Sequence, residues 1–345
     1  MDRRMMGMGL ATLLIVGIAA ASWSPWWLRA QPSLAPLDGG QPPKSEGFAQ
    51  DRDPIAGMKP MPFDGDRAMK DLKTLIEIGP RVSGTPGIKT LRDFVVKHFE
   101  EQGATVALQA FDAKQRSRRE KTAMVNVIAK WYPEKTRRVI LCCHYDTRPI
   151  ADQESKRADW DRPFASANDG TSGVAMLMEL ARHMKTVDPA VGVDFVLFDG
   201  EEYIFNNSPV GGDDYFLGSE YFAKDYARTK GTRKFTYEAA LLFDLCHAEN
   251  ARLRVEAYSY QFAPNVVQQV WKVAERLGAK SFLYERGDEV RDDHLALNMV
   301  GIPAVDIIDF GYPHWHKLSD TADKISAKQM TEVANVAMTW VRILK

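Results

Sequence analysis

Residues 63–345 predict an α/β protein, a three-layer α/β/α sandwich around a mixed, largely parallel sheet. Three observations carry this. Short, continuous apolar runs recur along the stretch, as strands buried on both faces require. Segments with apolar residues at helical spacing lie between them. Histidines and carboxylates follow the ends of the runs, where a parallel sheet collects its chemistry.

Asp66–Ile78 opens the domain as a helix, with Leu72, Leu75 and Ile76 on one face. Thr85-Pro86 reads as an N-cap followed by proline at the first helical position, and Gly103 as the stop. Within that helix Leu91, Phe94, Val95 and Phe99 form the apolar stripe, and His98 flanks it as a packing residue. Val106, Leu108 and Ala110 alternate as a strand, and Met124–Ile128 and Val139–Cys143 read as further strands. Val174–Met184 is a helix behind Gly170-Thr171-Ser172-Gly173. Val193–Phe198 and Leu241–Leu245 are again buried-type strands, and Leu253–Ala257 alternates. Val266–Leu277 is a helix, Ile302–Ile308 a strand, and Ser326–Leu344 a long amphipathic final helix.

The region ahead of this domain has a different character. Arg3 and Arg4 precede an uncharged, mostly apolar run from Met5 to Ala21, with Trp23, Trp26 and Trp27 beyond. This predicts an export signal or a retained membrane anchor over 1–30, and hence a periplasmic, membrane-anchored or secreted protein. Residues 31–62 hold seven prolines and four glycines and read as a tether.

Lys+Arg 45 against Asp+Glu 46 leaves no global charge to attract nucleic acid. Three cysteines are too few for a disulfide scaffold, and all three read as buried thiols. Oligomeric state is not legible.

The chemistry lies just past the strands. His144-Tyr145-Asp146 follows one, Asp199-Gly200-Glu201-Glu202 another; Asp244 lies inside a third, and the last leads to His314-Trp315-His316. Asp169 stands before a helix. Histidine with Asp and Glu, and no thiolate, is a zinc-type donor set.

These motifs, with Asn168-Asp169-Gly170-Thr171-Ser172-Gly173 and Trp315-His316-Lys317-Leu318-Ser319-Asp320, resemble the co-catalytic zinc peptidases of family M28. The resemblance implies Asp169, Glu202 and His316 around one zinc, His144 and Asp244 around a second in two-metal members, and Glu201 as general acid/base. Within the family the chain looks closer to the animal-type glutaminyl-peptide cyclotransferases. A long insertion follows Glu202, from Tyr203 to Leu217; Asp292-Asp293-His294 resembles the cyclase segment; and Trp315 directly precedes His316. Where animal cyclases carry a tryptophan soon after the glutamate pair, this chain has Asn206-Asn207.

The cyclase reading implies one zinc per chain and peptide or protein N-termini as substrates. In it Asp244 shares a hydrogen bond with Asp292 and holds the leaving amide, and Trp315, Tyr312 and Phe205 wall the pocket. The alternative is a two-zinc aminopeptidase releasing N-terminal residues, built from the same parts. Ligand counting leaves both open. His247 is a candidate supporting residue, and His314 belongs to its loop.

Overall fold

The computed structural model describes residues 55–345. The predicted signal over 1–30, and the tether as far as residue 54, lie outside the described residues. Of the remaining tether, Met61 is buried in the main core and Ile55 packs against it, so packing begins a few residues ahead of Phe63. Among the described residues no helix is long and apolar enough to cross a membrane.

Helix α1 (Gly65–Glu77) is capped by Asp64, whose carboxylate accepts from the Arg67 amide at 2.9 Å. Helix α2 (Pro86–Glu101) starts on proline as expected. Thr85 does not cap it with its side chain; the hydroxyl turns back and donates to the Val82 carbonyl at 2.7 Å. Strands β1 (Thr105–Ala113) and β2 (Thr122–Trp131) form an antiparallel pair. Next come β3 (Arg137–His144), helix α3 (Ser172–Ala181) and β4 (Gly192–Phe198). Helix α4 (Leu217–Arg228) and β5 (Thr236–Asp244) follow.

Strand β6 (Leu253–Val255) is shorter than its alternation predicts. Glu256 leaves the strand because its carboxylate caps helix α5 (Ala257–Phe262), accepting from the amides of Tyr258 at 2.8 Å and Ser259 at 2.6 Å. Helix α6 (Pro264–Leu277), β7 (Phe282–Arg286), helix α7 (Asp293–Met299), β8 (Ala304–Ile308) and helix α8 (Ala327–Ile343) complete the domain. Helices α4, α5 and α7 and strand β7 carry no sequence signal strong enough to predict. Three of them span seven residues or fewer, and α4 starts after a left-handed Phe216 instead of a polar cap.

The main sheet runs β1-β2-β4-β3-β5-β8. From β4 to β8 every pairing is parallel, whereas β1–β2 and β2–β4 are antiparallel. Alternation along the parallel strands divides the core in two. Val139, Leu141, Val193, Phe195, Leu241 and Phe243 face a layer containing α1, α2, α3, α6 and α8. Ile140, Cys142, Val196, Phe198 and Leu242 face Phe222 of α4 and Leu297 of α7. This is the three-layer sandwich that the apolar runs predict. Each fully buried large side chain contributes about 1.5–3 kcal/mol, so the parallel strands are rigid to their ends, where the site begins.

Candidate metal centre and active site

The carboxyl ends of β3, β4 and β5, together with the loops leading to Asp169 and His316, bring five donor side chains together. Asp169 sits between two imidazoles: its Oδ1 is 3.1 Å from His144 Nε2 and its Oδ2 is 3.6 Å from His316 Nε2. His316 Nε2 is also 3.0 Å from Glu202 Oε1, and His144 Nε2 is 3.5 Å from Asp244 Oδ1. The donors form two three-residue groups sharing Asp169: Asp169, Glu202 and His316, and His144, Asp169 and Asp244. His144 Nε2, Asp169 Oδ2 and Asp244 Oδ1 are buried without a hydrogen-bond partner. An unpaired buried polar atom costs about 1–3 kcal/mol. Buried nitrogen and carboxylate-oxygen donors converging in this way fit a zinc ion.

The backbone is shaped to bring them in. Gly170 adopts φ 77°, and a Cβ there would lie 2.6 Å from His144 Cε1, so only glycine lets the ring approach. Three non-glycine residues at the site also have positive φ: Ser166 at 50°, Leu245 at 49° and His316 at 53°. Such residues cost about 1–3 kcal/mol each and cluster where a site requires them. Two buried carboxylates hold the turns. Asp146 accepts from the amides of Glu201 and Glu202 at 3.1 Å each. Asp320 accepts from the Asn168 amide at 3.0 Å and the Asp169 amide at 3.3 Å, and Tyr312 donates its hydroxyl to it at 2.7 Å.

Each ligand imidazole is oriented through its other nitrogen. His316 Nδ1 lies 2.9 Å from Asp152 Oδ1, and His144 Nδ1 lies 3.2 Å from the Asp146 carbonyl. Arg148 donates to Glu202 Oε2 at 2.6 Å and to Asp152 Oδ2 at 2.8 Å. Arg148 and Asp152 carry no sequence signal of their own: they lie in the loop after β3, which the sequence shows only as long.

The neighbouring glutamates are driven apart. Burial acts against ionisation of Glu202, but Arg148 and His316 outweigh it and hold the carboxyl well below its usual range. Burial, then the Glu202 charge, push Glu201 well above its usual range, against the pull of His144. Glu201 Oε2 is 3.8 Å from His144 Nδ1. The surroundings therefore favour the anion at Glu202 and oppose it at Glu201. Burial, then the Asp244 and Asp293 charges, likewise push Asp292 well up. Asp292 Oδ1 accepts from the Asp293 amide at 2.6 Å, and the Asp244 and Asp292 carboxyls sense each other through charge.

Of the three aromatics expected to wall the pocket, Trp315 packs at a tilt against His316, with ring centroids 4.0 Å apart, and meets Phe310 at 5.0 Å. Tyr312 is buried with its hydroxyl on Asp320, and Phe205 packs against Tyr203 under the Arg118 guanidinium. His247 is buried behind the Asp169 turn, with its amide on Asn168 Oδ1 at 3.1 Å and Nδ1 2.9 Å from Ser172 Oγ. His314 meets Ser319 in its own loop, and His98 lies 2.9 Å from the Met178 carbonyl. The three cysteines are free, buried thiols.

Histidines and carboxylates converging at the carboxyl edge of a mixed sheet, with a carboxyl beside them whose ionisation is opposed, fit a metal-dependent enzyme with acid/base chemistry. The chain belongs to peptidase family M28, whose model matches residues 126–341. It is similar to the solved Fimbriiglobus ruber glutaminyl cyclase, at 53% identity and a TM-score of 0.82, covering 83% of this chain and 97% of that one. Two Bacteroides thetaiotaomicron structures align at 31% identity and a TM-score of 0.76 over 83% of this chain. One is described as a glutaminyl cyclase bound to N-acetylhistamine and covered over 100% of its length; the other, as a leucine aminopeptidase precursor, over 99%. The cattle glutaminyl-peptide cyclotransferase is 22% identical over 296 residues, 76% of this chain and 77% of that protein.

Proposed function

We propose that this protein is a zinc-dependent glutaminyl-peptide cyclotransferase, converting an N-terminal glutamine of peptides or proteins to pyroglutamate with release of ammonia. The observation that carries the reading is the 53% identity to a glutaminyl cyclase over nearly the whole of that chain. The split of the adjacent glutamates into an anion and a proton carrier supports it.

Asp169, Glu202 and His316 would hold the zinc, one ion per chain. When bound, it supplies Lewis-acid polarisation of the glutamine γ-carbonyl. The attacking α-amine belongs to the same residue as the γ-amide, so proximity provides much of the rate. The amine nitrogen forms a bond to the γ-carbon, Glu201 gives its proton to the amide nitrogen, the carbon–nitrogen bond breaks and ammonia leaves, and the proton shed by the attacking amine restores Glu201. Asp292, whose ionisation burial and the Asp244 charge oppose, would hold the departing amide. Trp315, packed at a tilt against His316, would offer its ring to the glutamine stem.

The aminopeptidase reading is favoured by one observation, the second donor group of His144, Asp169 and Asp244. Incubating purified protein with a Gln-initiated peptide and following its mass separates the two. Loss of ammonia from an otherwise intact peptide supports the cyclase; release of free glutamine supports the peptidase. We also infer action outside the cytoplasm, from Arg3, Arg4 and the apolar run Met5–Ala21. Full-length protein recovered from the cytoplasmic fraction with that run intact would refute this.

A further inference from the structure

We infer that Asn207 and Tyr215, on the loop after the glutamate pair, are positioning residues. They brace the buried Arg148–Asp152 pair that orients Glu202 and His316, so the loop helps set zinc affinity. The inference rests on the reading of Asp169, Glu202 and His316 as the zinc site.

The contacts form a continuous path. Asp152 uses Oδ1 for His316 Nδ1 at 2.9 Å. Its Oδ2 accepts from two donors, Arg148 at 2.8 Å and the Asn207 side-chain amide at 2.6 Å. Arg148 in turn donates to Glu202 at 2.6 Å and to the Tyr215 hydroxyl at 3.0 Å. The side chains of Arg148 and Asp152 are each only 1% exposed, so water cannot replace a lost partner freely. A carboxylate that accepts from the outer nitrogen of a ligand imidazole fixes the ring's tautomer and direction. Asn207 fixes that carboxylate from the far side.

The loop is built to act as a fixed post. The Asp213 carboxylate gathers the amides of Phe205 at 2.9 Å and Asn206 at 3.0 Å, and both the amide and hydroxyl of Ser117, at 2.8 and 2.6 Å. Gln115 donates to the carbonyls of Tyr203 at 2.8 Å and Asp214 at 2.6 Å and accepts from the Asp214 amide at 2.8 Å. Ser117 and Gln115 belong to the β1–β2 connection, so the loop is fastened to the edge hairpin while its tip reaches the ligand support. Asn207 occupies the stretch where the sequence shows no tryptophan, and its role is polar.

The test is zinc affinity, read by chelator competition on the purified full-length protein, with melting of the zinc-free protein as a check on folding. Asp152→Ala should weaken zinc by about 10–100-fold, as loss of a ligand's own support does, and Asn207→Ala, one step further out, by about three- to tenfold. Asn207→Asp keeps the shape but sets a carboxylate against Asp152, and should weaken zinc more than Asn207→Ala. A residue that merely filled space would tolerate it. In the Asp152→Ala background Asn207→Ala should add nothing; if Asp152→Ala fails to fold, Asn207→Ala is compared with and without Tyr215→Phe, whose losses should not add. Val210→Ala, at an exposed loop position, should bind as wild type. Wild-type zinc affinity in Asn207→Ala, or an undiminished loss in the Asp152→Ala background, would overturn the inference. Wild-type protein that binds no zinc would instead overturn the zinc-site reading. Neither outcome depends on the product released.

Discussion

Glu201 and Glu202 are adjacent and chemically identical, yet the structure assigns them opposite duties. Replacing each by glutamine should therefore have opposite effects. Glu201→Gln keeps the shape, and the backbone bond from residue 201 to Asp146 is untouched. It removes the proton carrier, a loss of about 10²–10⁴ in turnover, or about 2.7–5.4 kcal/mol of barrier. Because burial and Glu202 already work against ionisation of Glu201, a neutral side chain costs the fold little. Zinc and melting temperature should stay near wild type. Glu202→Gln removes a metal donor and the carboxylate facing Arg148 at 2.6 Å. Breaking a buried pair costs about 3–5 kcal/mol, so zinc and stability should fall together. The assay is ammonia release from a Gln-initiated peptide, with zinc per chain from elemental analysis and a thermal melt on the same samples. Turnover within about tenfold of wild type in Glu201→Gln would remove it as the acid/base. Zinc retained in full by Glu202→Gln would refute the division of labour.

His316→Ala should lose zinc and activity together; full zinc content by elemental analysis would show that His316 is not a ligand. Asp292→Ala should lose about 10²-fold or more in turnover with one zinc per chain unchanged, whereas a mild effect together with two tightly bound zincs would favour the aminopeptidase. Burial depresses His247 to about 3, so it stays neutral in the fold while the unfolded chain takes up a proton below about 6.5. Its contribution is therefore complete above that pH and lost as pH falls, by about 2 kcal/mol at pH 5. Denaturant melts of zinc-free protein should show a shallower acid slope in His247→Asn; an unchanged slope would rule this out.

The layer order and the ligand set were both legible without coordinates, for one reason. Strands buried on two faces must be continuously apolar, so the residues immediately beyond them stand out as polar, and His144, Glu201, Glu202 and Asp244 are such residues. His316 and Asp169 were legible through their motifs. Short elements were not: α7 and β7 gain their stability from packing and not from their own periodicity.

The sequence by itself determined the sandwich and marked the five candidate donors, because each is a local pattern of residue types along one strand or turn. Only the tertiary structure shows what separates the two glutamates electrostatically, an arginine that reaches Glu202 across 54 residues of chain. It also decided that Tyr312 holds Asp320 and that Asp152, braced by Asn207, stands behind His316. Charges and hydrogen bonds act over ångströms of space without regard to distance along the chain, and a linear pattern does not contain those distances.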